Sequence, residues 1–206
     1  NAKMKDSGIE WLGMVPEGWE IKKIAWITKC LDGKRIPLNT EERGKMQGEY
    51  PYWGANAIVD YINDWLFNEP LVLLGEDGAP FFEKFKDVAF AVDGKIWVNN
   101  HTHVLRPKKI HYKFLAYALN SVDYRPYING ATRDKLTQSE MNSIHIQCPP
   151  LPEQHAIAAF LDRETARIDE IIEKIKVSIE KLNEYRSALI SAAVTGKIDV
   201  RQEVSA

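Results

Sequence analysis

Leu161, Ile168, Ile175, Leu182 and Leu189 recur every seven residues, and Thr165, Ile172, Ile179, Arg186 and Ala193 each fall four places later. This is the a/d spacing of a coiled-coil seam. No glycine or proline interrupts the chain between Gln154 and Thr195. The pattern predicts one helix of about 42 residues, about 63 Å long, more than a small domain can bury. Pro152 suits the first helical turn, and Gly196 stands where a left-handed cap would close the last. Glu170 with Lys174 and Lys176 with Glu180 are placed for i,i+4 pairs. Arg186 at an a position weakens the seam and fixes its register. A long amphipathic helix folded back on its own head is the alternative, but five regular d positions exceed what one head face needs.

The preceding residues carry short apolar runs with frequent punctuation. Ile21, Ile24, Trp26 and Thr28 alternate imperfectly within Glu20–Thr28 and read as a strand after the Val15-Pro16-Glu17-Gly18-Trp19 turn. Residues 31–52 are polar and read as a long exposed loop. Leu71-Val72-Leu73-Leu74 before Gly75 reads as a buried strand. Residues 89–92 and 96–98 flank Asp93-Gly94-Lys95, a hairpin-turn signal, and His101–Leu105 reads as a further strand. Phe114, Leu115, Ala118, Leu119 and Val122 follow helical spacing over 111–122. A second short helix near Ser139-Glu140-Met141 precedes a strand at Ile144-His145-Ile146. The expected architecture is α+β: a strand-rich head over residues 1–150, a long coiled-coil helix over 151–196 for spacing and dimerisation, and a tail over 197–206.

Composition narrows the function. With 206 residues and 45% hydrophobic content, the chain accommodates one compact domain of about 150 residues and an appendage. Its 27 basic and 29 acidic residues nearly cancel, but they are unevenly placed. Residues 60–93 hold eight carboxylates against Lys84 and Lys86, whereas 101–135 hold seven Lys/Arg against Asp123 and Asp134. A head that is neutral in total but polarised in this way can still present one basic face. Cys30 and Cys148 lie far apart, which argues for a reducing compartment and against a disulfide scaffold or structural zinc site. No apolar run approaches a membrane span and no signal-peptide pattern opens the chain. The expectation is a soluble, cytoplasmic protein.

Catalytic patterns are weak. Glu76-Asp77 followed by Asp93-Gly94-Lys95 loosely echoes the carboxylate and D-x-K of a Mg²⁺-dependent DNA endonuclease, although Asp-Gly-Lys also suits a hairpin. His101 and His103 share a strand face without a third ligand at a suitable spacing. Cys148-Pro149-Pro150-Leu151 lacks the amide and aromatic that an amino-methyltransferase loop of that shape requires. No P-loop, nucleophile elbow or H-E-x-x-H is present.

Binding fits better. Three loop-like stretches combine cations, amides and aromatics. One runs from Gly33 to Asn56 with Lys34, Arg35, Arg43, Lys45, Gln47, Tyr52, Trp53 and Asn56. The others are Lys95–His101, with Asn99 and Asn100, and Tyr124–Lys135, with Arg125, Thr132 and Arg133. Arg reads guanine, Asn and Gln read adenine, and Lys and Thr hold phosphates, so the inventory suits duplex DNA. The expected DNA contacts are Lys34, Arg35, Tyr52, Trp53, Asn56, Asn99, Asn100, Arg125, Thr132, Arg133 and Lys135. The expected dimerisation residues are Leu161, Ile168, Ile172, Ile175, Ile179, Leu182 and Leu189. A coiled-coil scaffold that binds no DNA is the remaining alternative.

Ser7-Gly8-Ile9-Glu10-Trp11-Leu12-Gly13 and Val15–Trp19 resemble the opening of a target recognition domain of the type I restriction-modification DNA specificity (S) subunits. Gly130-Ala131-Thr132-Arg133-Asp134-Lys135-Leu136 resembles that family's late loop. Pro149–Gln154 and Ala188-Leu189-Ile190 through Gly196-Lys197-Ile198-Asp199 resemble the two ends of its helical region. The resemblance implies a head that reads half of a bipartite site and a helical spacer that docks methyltransferase (M) and restriction (R) subunits. It implies no catalysis and no cofactor in this chain, with S-adenosylmethionine, ATP and Mg²⁺ handled by those partners. Family members usually carry two heads and two helices, and this chain has one of each. The expectation is therefore a half-subunit that homodimerises through the helix, or half of a longer protein.

Overall fold

The computed structural model describes residues 3–83, 85–128 and 134–200. It divides into two compact units, Asn1–Ala158 and Ala159–Ala206. The first holds β1 (Met4–Asp6), β2 (Met14–Pro16), β3 (Glu20–Lys23), a single helical turn α1 (Ile24–Ile27) and β4 (Thr28–Cys30). After a 3₁₀ turn at Asp32–Lys34 come α2 (Thr40–Lys45), β5 (Gln47–Trp53), β6 (Ile58–Ile62), β7 (Phe67–Asn68) and β8 (Leu71–Gly75). Next are β9 (Ala89–Val92), β10 (Lys95–Val98), β11 (Thr102–Pro107), α3 (Tyr112–Asn120), α4 (Gln138–Ser143) and β12 (His145–Cys148). The last element, α5, runs from Leu151 to Val194. The architecture is α+β, as expected.

Two four-stranded sheets, ordered β4-β11-β8-β9 and β6-β5-β10-β7, form the centre of the first unit. β8 explains their packing. All five of its residues are buried, and its side chains alternate between two clusters. Val72 and Leu74 join Phe114, Leu115, Ala118 and Leu119 of α3, whereas Leu71 and Leu73 join Ile96 and Val98 of β10. A strand covered on both faces reads as a continuous apolar run, which is why this one was legible. Asn120 ties α3 to β9, accepting from Val88 and Ala89 N–H and donating to the Ala89 carbonyl.

Three local expectations need correction. Glu20–Thr28 is not one strand: β3 pairs with β12, β4 pairs with β11, and α1 turns the chain between them. The Asp93-Gly94 turn makes no hairpin. β9 pairs with β8 while β10 pairs with β5 and β7, so the turn hands the chain from one sheet to the other. Gly94 supplies the positive φ of 92° that either route requires. Nor is 31–52 all loop. Asn39 and Glu42 form a reciprocal capping box that starts α2, and β5 follows it with one half-exposed face.

α5 is a 44-residue helix. It ends in a Schellman motif: Lys197 N–H donates to Ala192 O at 2.8 Å and Gly196 N–H to Ala193 O at 3.2 Å, with Gly196 at φ 72°. Glu170 pairs with Lys174, but Lys176 turns to Glu173 rather than Glu180. Ile168, Ile172, Ile175, Ile179, Leu182 and Leu189 are 44–65% exposed, and Leu161 is half-buried. Ile171 and Tyr185, at g positions, widen the exposed apolar face. No helix among the described residues is long and apolar enough to cross a membrane.

Candidate nucleic-acid interface

Five connections meet at one end of the two sheets. They are the 3₁₀ turn with the residues after it, the β5–β6 turn, the loop leaving β8, the turn entering β11, and the segment 134–136. Arg35 joins the first to the fourth, donating to the carbonyls of Asn100 and Thr102 at 3.4 and 2.8 Å. Thr102 Oγ1 donates to Gly54 O at 2.7 Å, linking the β11 entry to the β5–β6 turn. Asn56 donates to Gly78 O, and Asp77 bridges Lys135 as an isolated antiparallel pair.

Beneath these loops lies a charged network. His103 on β11 is 1% exposed, and each ring nitrogen faces an acceptor. Nδ1 lies 2.6 Å from Asp32 Oδ2 and Nε2 lies 2.8 Å from Leu136 O, so the ring serves both only by donating from both. Burial alone would raise the Asp32 carboxyl, but the hydrogen bond and charge of His103, the Val104 N–H and Arg35 together hold it below the ordinary aspartate value. Arg35 completes the network at 2.6 Å from Glu76 Oε2, and Lys135 lies 3.4 Å from Oε1 of the same carboxylate. Asp32, Glu76 and His103 place ligand atoms within 4.8 Å of one another, a spacing a cation could use. Here Arg35 supplies the positive charge instead, bonded to Glu76 and 3.6 Å from Asp32.

The outer surface carries the polar groups. A hollow of about 480 Å³ is lined by Leu38, Asn39, Arg43, Asn99, Asn100 and His101, among others. Arg43 is held by Asp60 at 3.2 Å and lies over the Tyr52 ring. Asn99 Oδ1 accepts from His101 N–H, shaping the turn that displays Asn100.

The structure brings together Lys34, Arg35, Tyr52, Trp53, Asn56, Asn99, Asn100 and Lys135 through these turns and strands. Their exposure differs. Lys34, Asn56, Asn100 and Lys135 face solvent, and Trp53 and Asn99 are half-buried. Tyr52 is 1% exposed, with its hydroxyl accepting from Leu38 N–H, so it belongs to the core. Arg35 is nearly covered and its donors are spent on Asp32, Glu76, Asn100 and Thr102. Arg125 is gripped by both oxygens of Asp123. Thr132 and Arg133 lie outside the described residues.

The endonuclease pattern is not assembled. β8 and β9 are antiparallel, with Leu74 opposite Ala89 and Leu71 opposite Val92. Glu76 and Asp93 therefore leave opposite ends of the sheet. His101 and His103 also part company, since His101 faces Asp77 and His103 faces Asp32. Asp32, Glu76 and His103 form one unit that the sequence does not mark. Asp32 and His103 stand 71 positions apart, which leaves no spacing signal.

The framework motifs prove to be physical partners. Trp19 Nε1 donates to Glu153 at 3.1 Å. Gln154 is 3% exposed, accepts from His111 N–H and donates to Pro149 O.

The type I restriction modification DNA specificity domain family model matches residues 16–181, and the chain belongs to that family. A candidate type I restriction enzyme specificity subunit of Haemophilus influenzae is 35% identical over 157 residues, 75% of this chain and 40% of that protein. The EcoDI specificity subunit of Escherichia coli is 24% identical over 188 residues, 90% of this chain and again 40% of its own length. The chain thus spans less than half of these relatives. Among solved structures, the S subunit from M. genitalium aligns over 84% of this chain and 46% of its own, with TM-score 0.59 and 19% identity. A chain from a type I R-M system aligns over 92% of this chain and 48% of its own, with TM-score 0.65 and 16% identity. At those identities the likeness is one of fold.

Proposed function

We propose that this chain reads one half of a bipartite duplex DNA target for a type I restriction-modification complex and catalyses nothing itself. The family match over residues 16–181 carries this reading. The head positions itself on phosphates through Lys34 and Lys135 and reads base edges from the turns bearing Asn56, Asn99 and Asn100, with Trp53 shaping the surface. Thr132 and Arg133 contribute from the late loop. Arg35 and Tyr52 act from beneath, holding the turns rather than reaching bases, and Arg125 reaches DNA only by releasing Asp123. Methyl transfer and cleavage, with S-adenosylmethionine, ATP and Mg²⁺, belong to M and R subunits.

The helix serves assembly. Two copies pair through Leu161, Ile168, Ile172, Ile175, Ile179, Leu182 and Leu189, and the resulting two-fold axis makes the DNA site palindromic. The added g-position side chains Ile171 and Tyr185 give a face broader than a two-helix seam needs. That breadth leaves room for helices of an M subunit.

The decisive experiment is co-expression with a type I M subunit, followed by genome-wide mapping of methylated adenines. A bipartite motif supports the reading, and methylation without sequence preference refutes it. Asn100→Ala should then weaken binding to the mapped duplex by about 1–3 kcal/mol if the amide reads a base. Unchanged affinity removes Asn100 from the readout.

A further inference from the structure

The far end of β11 carries a second surface. Trp26 is 66% exposed on α1. It borders a hollow of about 500 Å³ with Lys22, Lys108, Lys109, Cys148, Pro149 and Leu151 among its walls. An exposed tryptophan beside buried Cys148 and the proline pair gives an apolar floor and wall. The rim is cationic: Lys22, Lys108 and Lys109 face it against Glu20, which Lys22 already pairs. Lys23 lies 5.9 Å over the Trp26 ring. Lys109 holds φ 56°, a left-handed conformation that a lysine rarely adopts, while Lys108 N–H is anchored to Ile27 O at 2.7 Å.

We propose that this hollow docks a partner protein through an acidic segment with one apolar anchor. The anchor packs on Trp26 and Pro149, and flanking carboxylates meet Lys22, Lys108 and Lys109. Exposed tryptophan with a charged rim is the usual make-up of an interface anchor point. Duplex DNA fits less well for two reasons. Phosphate contacts need cations but no apolar floor. Also, β11 runs from Thr102 beside the polar turns to Pro107 beside Lys108, and its six residues at about 3.4 Å each separate the surfaces by about 20 Å. The proposal rests on the reading that this chain works in an assembly, and not on which turns read bases.

The test uses the full chain and a fluorescein-labelled peptide in which glutamates flank a Leu-Phe pair, followed by fluorescence anisotropy. Wild type should bind, and Lys108→Glu with Lys109→Glu should weaken binding about tenfold or more, because attraction becomes repulsion. Trp26→Ala should weaken it independently, while the thermal unfolding midpoint stays unchanged. Duplex affinity, measured alongside, should not fall in the double variant. No peptide binding by wild type, or equal binding by the variants, overturns the proposal. Lost duplex binding with peptide binding unchanged assigns the rim to phosphates and overturns it too. The duplex carries the motif mapped with the M subunit, and failure of the M-bound wild type to bind it counts against the DNA reading alone, because the peptide arm is scored separately.

Discussion

Asp32 sits where several favourable contacts outweigh the cost of burying a carboxylate. Its lowered pKa means that the folded state holds fewer protons than the unfolded chain in moderate acid, so its contribution is present above the unfolded value and lost as pH falls through about 4 and below. Urea midpoints at pH 7 and pH 3 should differ more in wild type than in Asp32→Asn. That substitution should itself cost about 1–3 kcal/mol at pH 7, because it removes the carboxylate charge facing His103 and Arg35 and sets an amide donor where an acceptor oxygen stood, while Glu76 still pairs Arg35. Cys30 and Cys148 make the opposite case: burial raises both thiols to about 11. Iodoacetamide at pH 7.5 should therefore label neither until the protein is unfolded, as mass spectrometry would reveal. Gln154→Ala should cost about 1–3 kcal/mol, since it takes the acceptor from the half-buried His111 N–H; Gln154→Glu should recover part by keeping the acceptor. Local spacing does not show these roles, because the contacts that define them join Asp32 to His103 and Gln154 to His111, 71 and 43 positions apart.

At the level of elements, legibility followed dimensionality. α5 was readable because its pattern is a repeat along one line, and β8 because burial on both faces leaves an unbroken apolar run. The Asp93-Gly94 turn misled because the same left-handed glycine closes a hairpin or passes a strand between sheets. Trp26 misled because one helical turn inside alternating residues barely disturbs the alternation. Gly75 ends β8 where a Cβ would meet Ala79 and lie 3.3 Å from Ala55 O. Gly75→Ala should push apart the β5–β6 turn and the loop leaving β8, loosening the polar end of the sheets. Faster amide exchange at residues 54–57 and 76–79, with β8 itself still protected, would show this. Uniform protection everywhere would mean the loops absorb the methyl group.

For the whole molecule, the resemblance of the framework motifs located both ends of the head, while the turns proposed to read bases had to be assembled by the fold. Asn56, Asn99 and Asn100 were nameable from composition, but their convergence comes from the pairing of β5 with β10 and the entry into β11. The seam makes a direct prediction. Ile175→Asp with Leu182→Asp should shift the protein from dimer to monomer in light scattering at tens of micromolar, with the head's near-ultraviolet dichroism unchanged. A monomeric wild type under the same conditions would remove self-pairing from the proposed function.

β3 lies beside β12, and Trp19 reaches Glu153 across 134 residues of chain. The head therefore closes on itself at a single clasp, where its entrance and exit strands sit side by side. Lengthening or exchanging a turn within the enclosed stretch adds mainly the slow logarithmic cost of a longer loop. The clasp and the root of the helix keep their geometry throughout. Such a domain is built like a cassette: the turns it encloses can diversify freely while the clasp that shuts it stays the same.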